Sequence, residues 1–149
     1  MNFPVGQVKM KGDVPFDLVS VYQKLSQEVF SGYIIQSVRG NFIEEGVLFF
    51  RSGEAMGCVV ECLPAQALLK GEEAFSFFLN QTKGTGFFQC VELTRSQVDL
   101  VVAFDEKILF NKIALKDLPK MIPSAFLPRF VKSLSKKDAL DSYGLGDLK

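Results

Sequence analysis

Ile43-Glu44-Glu45-Gly46-Val47-Leu48-Phe49-Phe50-Arg51-Ser52-Gly53-Glu54-Ala55-Met56-Gly57-Cys58-Val59-Val60-Glu61-Cys62 is the stretch that decides how this chain folds. Two runs rich in β-branched and aromatic residues flank Ser52-Gly53, a pair that accepts the positive φ of a tight turn. The reading is a hairpin of strands Ile43–Arg51 and Glu54–Cys62. In the second strand Met56, Cys58, Val60 and Cys62 point one way, and Ala55, Gly57, Val59 and Glu61 the other.

Working outward, Gly40-Asn41 is a turn back to a strand over Tyr33–Val38, and Ser31-Gly32 ends a helix that precedes it. Leu18, Tyr22, Leu25 and Val29 keep helical spacing, which predicts an amphipathic helix over 15–30 with Asp13 as its cap and Pro15 in its first turn. Val5–Lys11 alternates and is expected to be a short edge strand, open to pairing with a second copy of the chain. On the other side, Pro64 is expected to open a helical segment through Leu69. Glu72–Gln81 reads as a stronger helix with Ala74, Phe75, Phe78 and Leu79 on one face. Gly84-Thr85-Gly86 turns into a strand over Phe87–Leu93. Thr94-Arg95-Ser96-Gln97 has the form of a capping box before a helix over 95–109. The fold expected is α+β: a small antiparallel sheet of about four to five strands against three to four helices, followed by a helical C-terminal arm.

The chain divides at about residue 110. Residues 1–110 form the α+β domain. Residues 111–149 form a basic arm punctuated by Pro119, Pro123 and Pro128, with a short terminal helix over Lys136–Tyr143 capped by Ser135. Formal charge is zero overall, with 17 basic and 17 acidic residues. The distribution is uneven: residues 1–106 hold 8 basic and 13 acidic side chains, net −5, and residues 107–137 hold 8 basic and one acidic, net +7. At 149 residues and 48% hydrophobic content, the chain can bury a core without staples.

The chemistry of catalysis is thinly represented. There is no histidine, which removes the commonest general base and the commonest metal ligand. No Walker loop, nucleophile elbow or calcium loop is present. Adjacent Glu44 and Glu45 on a strand face opposite ways and cannot share a site, and Glu72-Glu73 suit the positive end of a helix dipole. Cys58 and Cys62 fall on one strand face, but a tetrahedral zinc site would need Cys90 and an acid besides, and three small buried hydrophobes is the simpler reading. The expectation is a protein that is not an enzyme and takes no cofactor. Three cysteines, no apolar run long enough to span a bilayer and a start without signal-peptide character predict a cytoplasmic protein.

A more specific pattern runs through the middle: Ser31-Gly32-Tyr33-Ile34, then Glu45-Gly46-Val47-Leu48-Phe49-Phe50-Arg51-Ser52-Gly53-Glu54-Ala55-Met56-Gly57, then Gly71-Glu72-Glu73-Ala74-Phe75, then Gly84-Thr85-Gly86-Phe87-Phe88. Over about residues 13–110 it resembles the PATAN type of domain, first described at the N-terminus of PatA-type bacterial response regulators and similar to uncharacterised archaeal proteins. The chain departs from that scheme at Gly57, where the family often has Ala, at Phe87-Phe88-Gln89 and in a short Arg39–Phe42 loop. The resemblance implies a protein–protein interaction or adaptor role in a regulatory or signalling system, and it carries over no catalytic residue. The alternative is peripheral binding of the basic amphipathic arm 107–137 to an anionic membrane or, ranking lower, to nucleic acid. Residues expected to touch a partner or surface are Phe126, Arg129, Phe130, Lys132, Lys136 and Lys137 in the arm. In the tail, Leu140, Tyr143 and Leu145 could anchor in a partner's groove.

Overall fold

The computed structural model describes residues 3–40, 42–63 and 67–127. The hairpin is present: β3 (Ile43–Arg51) pairs antiparallel with β4 (Glu54–Leu63). Ser52 and Gly53 both adopt positive φ, 50° and 86°, as the tight turn requires. A side chain at Gly53 would also run into the Ser26 carbonyl at 2.9 Å, because this turn sits on α1 (Leu18–Gln27).

The sheet has six strands, all antiparallel, in the order β1-β6-β2-β3-β4-β5. The outer members are β1 (Gln7–Val14) and β5 (Ala67–Lys70); β2 (Gly32–Arg39) and β6 (Thr85–Glu92) lie inside. The α+β class stands, with more strands than the four to five expected. The additional strand is β5, where the sequence suggested a helical segment from Pro64 to Leu69. Ala67 and Leu69 face inward and Leu68 outward, a period-2 pattern too short to announce itself. The open backbone of β4 takes Ala67–Lys70 as its ladder partner, and that pairing overrides the helix preference of Ala and Leu.

Other boundaries also moved. β1 continues through Gly12, Asp13 and Val14, which pair with Phe88, Phe87 and Gly86. Asp13 is therefore in a strand, and the helix cap is Asp17, whose carboxylate accepts from Val19 N at 3.1 Å and Ser20 N at 3.4 Å. A β-bulge where Phe49 and Phe50 face Gly57 and Ala55 makes Met56 the extra residue. Ala55 consequently joins Cys58, Val60 and Cys62 on one face, and Met56 packs on the opposite one. The expected helix over 95–109 is α3 (Arg95–Phe104), with its capping box between Thr94 and Gln97 in place. It stops at Asp105, whose extended backbone starts a 3-10 turn over Glu106–Ile108.

Two cores flank the sheet. On one face α1 and α2 (Gly71–Gln81) bury Leu18, Tyr22, Leu25, Phe75 and Phe78 against Ile34, Leu48, Phe50 and Val60. The chain after α3 then returns over this face. Phe110 stacks on Phe75 at 4.7 Å between ring centroids, and Ile113, Leu115, Ile122 and Phe126 pack on the same core. Leu118, the first residue of α4 (Leu118–Met121), is 1% exposed. On the other face a smaller core joins Tyr33, Val47, Phe49, Val59 and Val91 to Val98 of α3 and to Ile108. No helix among the described residues is long and apolar enough to cross a membrane.

Candidate interaction surfaces

The cysteines can be placed first. Cys90, Ile34, Leu48 and Cys58 lie in one row across β6, β2, β3 and β4. Three strand spacings of about 4.8 Å separate Cys90 from Cys58, roughly 14 Å. Cys62 lies four residues along β4 from Cys58, a similar distance. All three are fully buried, and no metal-binding cluster exists among the described residues. Burial pushes the Cys90 thiol up to about 12 and the Cys58 thiol well above its ordinary range, so both stay protonated and inert.

The polar centre of the larger core is a chain of three side chains. Gln36 Nε2 donates to the Phe78 carbonyl and to Gln81 Oε1, each at 3.0 Å, and Gln81 Nε2 donates to Glu44 Oε1 at 3.0 Å. All three residues have zero exposure. Gly46 makes the room, since a Cβ there would lie 2.2 Å from Gln81 Oε1. Glu44 Oε2 and Gln36 Oε1 have no hydrogen-bond partner among the described residues. Desolvation raises the Glu44 carboxyl to about 7, with the Gln81 hydrogen bond opposing it. Over this group lies the end of the described chain. The Phe126 ring comes within 3.2 Å of where Cβ atoms would stand at Gly40 and Gly84. Asn80 clamps the next residue, accepting from Leu127 N at 2.7 Å and donating to Leu127 O at 3.4 Å. The carboxyl is buried, with the Phe126 ring beside it, and is about half protonated at neutral pH.

A different surface forms on the other face. A cavity of about 400 Å³ opens between α3, β5 and the N-terminal segment, walled by Phe3, Val59, Leu68, Leu100, Val101 and Phe104. Phe104 is 83% exposed and Leu100 54%. The polar element on its rim is the ion pair of Lys70 with Asp105, whose carboxyl the Lys70 bond holds below the usual carboxylate range. An apolar groove edged by one ion pair offers shape and hydrophobic contact.

Of the residues singled out from sequence, Phe126 packs on the chain's own core at the strap. Arg129, Phe130, Lys132, Lys136, Lys137, Leu140, Tyr143 and Leu145 lie outside the described residues, as does the terminal helix over Lys136–Tyr143. The groove was missed. Its signal was in the sequence: Leu100 and Phe104, at i and i+4, form a second apolar stripe on α3 beside the inward Val98, Val101 and Val102. Comparison with protein-family models, with curated proteins and with solved structures gives no match.

Proposed function

We propose that the chain is a non-catalytic protein–protein interaction or adaptor domain, working in a regulatory or signalling system of the cytoplasm. The observation that carries the reading is the α3–β5 groove with Phe104 standing 83% exposed beside it. A large aromatic kept in water beside an apolar hollow costs solubility, and contact with another macromolecule offsets that cost. The resemblance to PATAN-type domains points the same way. The test is affinity capture from the protein's own cell extract with the full chain and with its Phe104→Ser variant. A reproducible set of proteins held by the parent and lost from the variant supports the reading. Equal capture by both, or turnover of a small molecule by a chain that captures nothing, sinks it.

The alternative, an anionic membrane or nucleic-acid contact through residues 107–137, is narrowed by the fold. Ile113, Leu115, Leu118, Ile122 and Phe126 spend their apolar surface on the core. A flotation assay with anionic vesicles at low salt, with and without the arm, tests it.

A further inference from the structure

The groove beside α3 opens onto the outer strand of the sheet. Val59 of β4 and Lys70 of β5 are register partners, and both line it. Leu68, the next residue of β5 on the same side, lines it too and is 47% exposed. The Lys70–Asp105 ion pair ties the C-terminal end of α3 to β5 and holds the two walls together.

β5 is also an open edge. It pairs with β4 alone, so alternate residues turn backbone N–H and C=O groups away from the sheet, and no second strand takes them up among the described residues. The two outer strands present their edges differently. β1 is interrupted by a bulge at Lys9 and carries Lys9 and Lys11, devices that keep a strand from recruiting another. β5 pairs in unbroken register from Val59↔Lys70 to Cys62↔Ala67, and the side chain it exposes is Leu68.

Charge narrows the occupant. In the row of Leu68 the register places Glu61 on β4 and Glu45 on β3, all on the α3 side. Glu45 and Glu61 are directly opposed, an unfavourable pairing of like charges, and neither has an ion-pair partner among the described residues. A strand added outside β5 sets a residue in that row two strand spacings from Glu61, about 10 Å. An arginine or lysine there closes the gap with its aliphatic stem laid over Leu68.

We propose that this edge and groove bind one extended segment of a partner protein. The segment adds antiparallel to β5. Its residue beside Lys70 is large and apolar and enters the groove against Leu100 and Phe104. Its residue beside Leu68, two positions later, is Arg or Lys and answers Glu61. Main-chain hydrogen bonds to β5 hold the segment, and the apolar-x-basic pattern selects it. The proposal rests on the interaction reading of the groove and adds the conformation and chemistry of the partner.

The test is selection of random linear peptides on phage by the full chain, followed by binding of the enriched sequences as synthetic peptides. Enrichment of apolar-x-Arg/Lys is expected, with amide signals of Ala67–Lys70 and α3 shifting and those of β1 unmoved. Methylating alternate backbone nitrogens of the peptide separates an added strand from a helix in the groove. One parity should weaken binding by about tenfold, and the other should leave it unchanged. Phe104→Ser weakens every enriched peptide. Glu61→Gln weakens the basic ones several-fold and leaves their Arg→Gln versions untouched. Equal loss at both parities, shifts at β1 in place of β5, or indifference to Glu61 and Phe104 overturns the proposal. So does exchange protection of the outward β5 amides in the chain alone: protection lost on dilution assigns the edge to a second copy, and protection that persists assigns it to the chain itself. If no peptide is enriched while the Phe104-dependent capture from cell extract succeeds, the added strand falls and the interaction reading stands. If the capture fails as well, both fall.

Discussion

The two faces of one sheet meet water on different terms. The α1–α2 face is closed twice, by helices and then by the returning chain from Phe110 to Leu127, and its ionisable centre, Glu44, is sealed with zero exposure. Among the described residues the α3 face carries one helix, an open groove and a half without a helix over it, where Glu45 and Glu61 confront each other. Glu44 and Glu45 are neighbours in sequence, yet strand alternation delivers one to each regime. On the interaction reading, one face carries the stability and the other the contact, and substitutions at matched side chains should separate the two.

The largest separation is expected between phenylalanines. Phe50, fully buried between the rings of Tyr22 and Phe30, should cost about 3–5 kcal/mol when cut to Ala. Phe87→Ala should cost less than about 1 kcal/mol, since most of that residue is already in water. Urea denaturation of both variants measures the difference; similar losses would erase the distinction between the faces.

Next in size is a pH effect. In the unfolded chain the Glu44 carboxyl titrates near 4.5, and in the folded one near 7. Between those values unfolding releases a proton, so raising the pH favours unfolding. The contribution is fully present below about 4.5, is lost as pH rises through about 7, and is flat above it, a total of about 3 kcal/mol. Glu44→Gln removes the titration, so stability of the parent relative to this variant should fall between pH 4.5 and 7. A constant difference across that range would mean that the fold leaves the Glu44 carboxyl at its ordinary value.

Asn80→Ala is expected to cost about 1–2 kcal/mol, by deleting the two hydrogen bonds to Leu127. Its more telling effect is local. With the strap loosened, the Leu127 amide should lose its hydrogen-exchange protection, and the Glu44 carboxyl should titrate closer to its ordinary value because water gains access. If the amide stays protected, the clamp is not what holds the strap.

Legibility in the sequence followed the same division. The hairpin, the α1 and α2 stripes and the capping box at Thr94 were readable because each is a local pattern with a local cause. β5 was not readable, since its four residues become a strand only by serving the edge of β4. Met56 was assigned to the wrong face because a single-residue bulge reverses the alternation, and nothing in Ala55-Met56-Gly57 announces it. Glu44 was read only as the neighbour of Glu45; its burial depends on Gln81 arriving over Gly46 from 35 residues downstream. The arm was legible in composition, but that five of its apolar residues would pack on the core was not, because packing partners distant in sequence leave no periodic trace.

The smallest expected effect on stability is also the one that bears most on function. Phe104 is 83% exposed, so Phe104→Ser should change folding stability by no more than about 0.5 kcal/mol. Asp105→Asn, which breaks a partly exposed ion pair with Lys70, should leave folding stability close to the parent's. If the α3 face exists for contact, these two variants fold as the parent does and yet differ from it in partner capture: Phe104→Ser most, because an exposed aromatic is the kind of residue that anchors an interface, and Asp105→Asn less, because a rim charge tunes association more than it holds the complex. A Phe104→Ser protein that loses several kcal/mol would instead place that ring in the core, and the contrast between the two faces would have to be redrawn with α3 on the structural side.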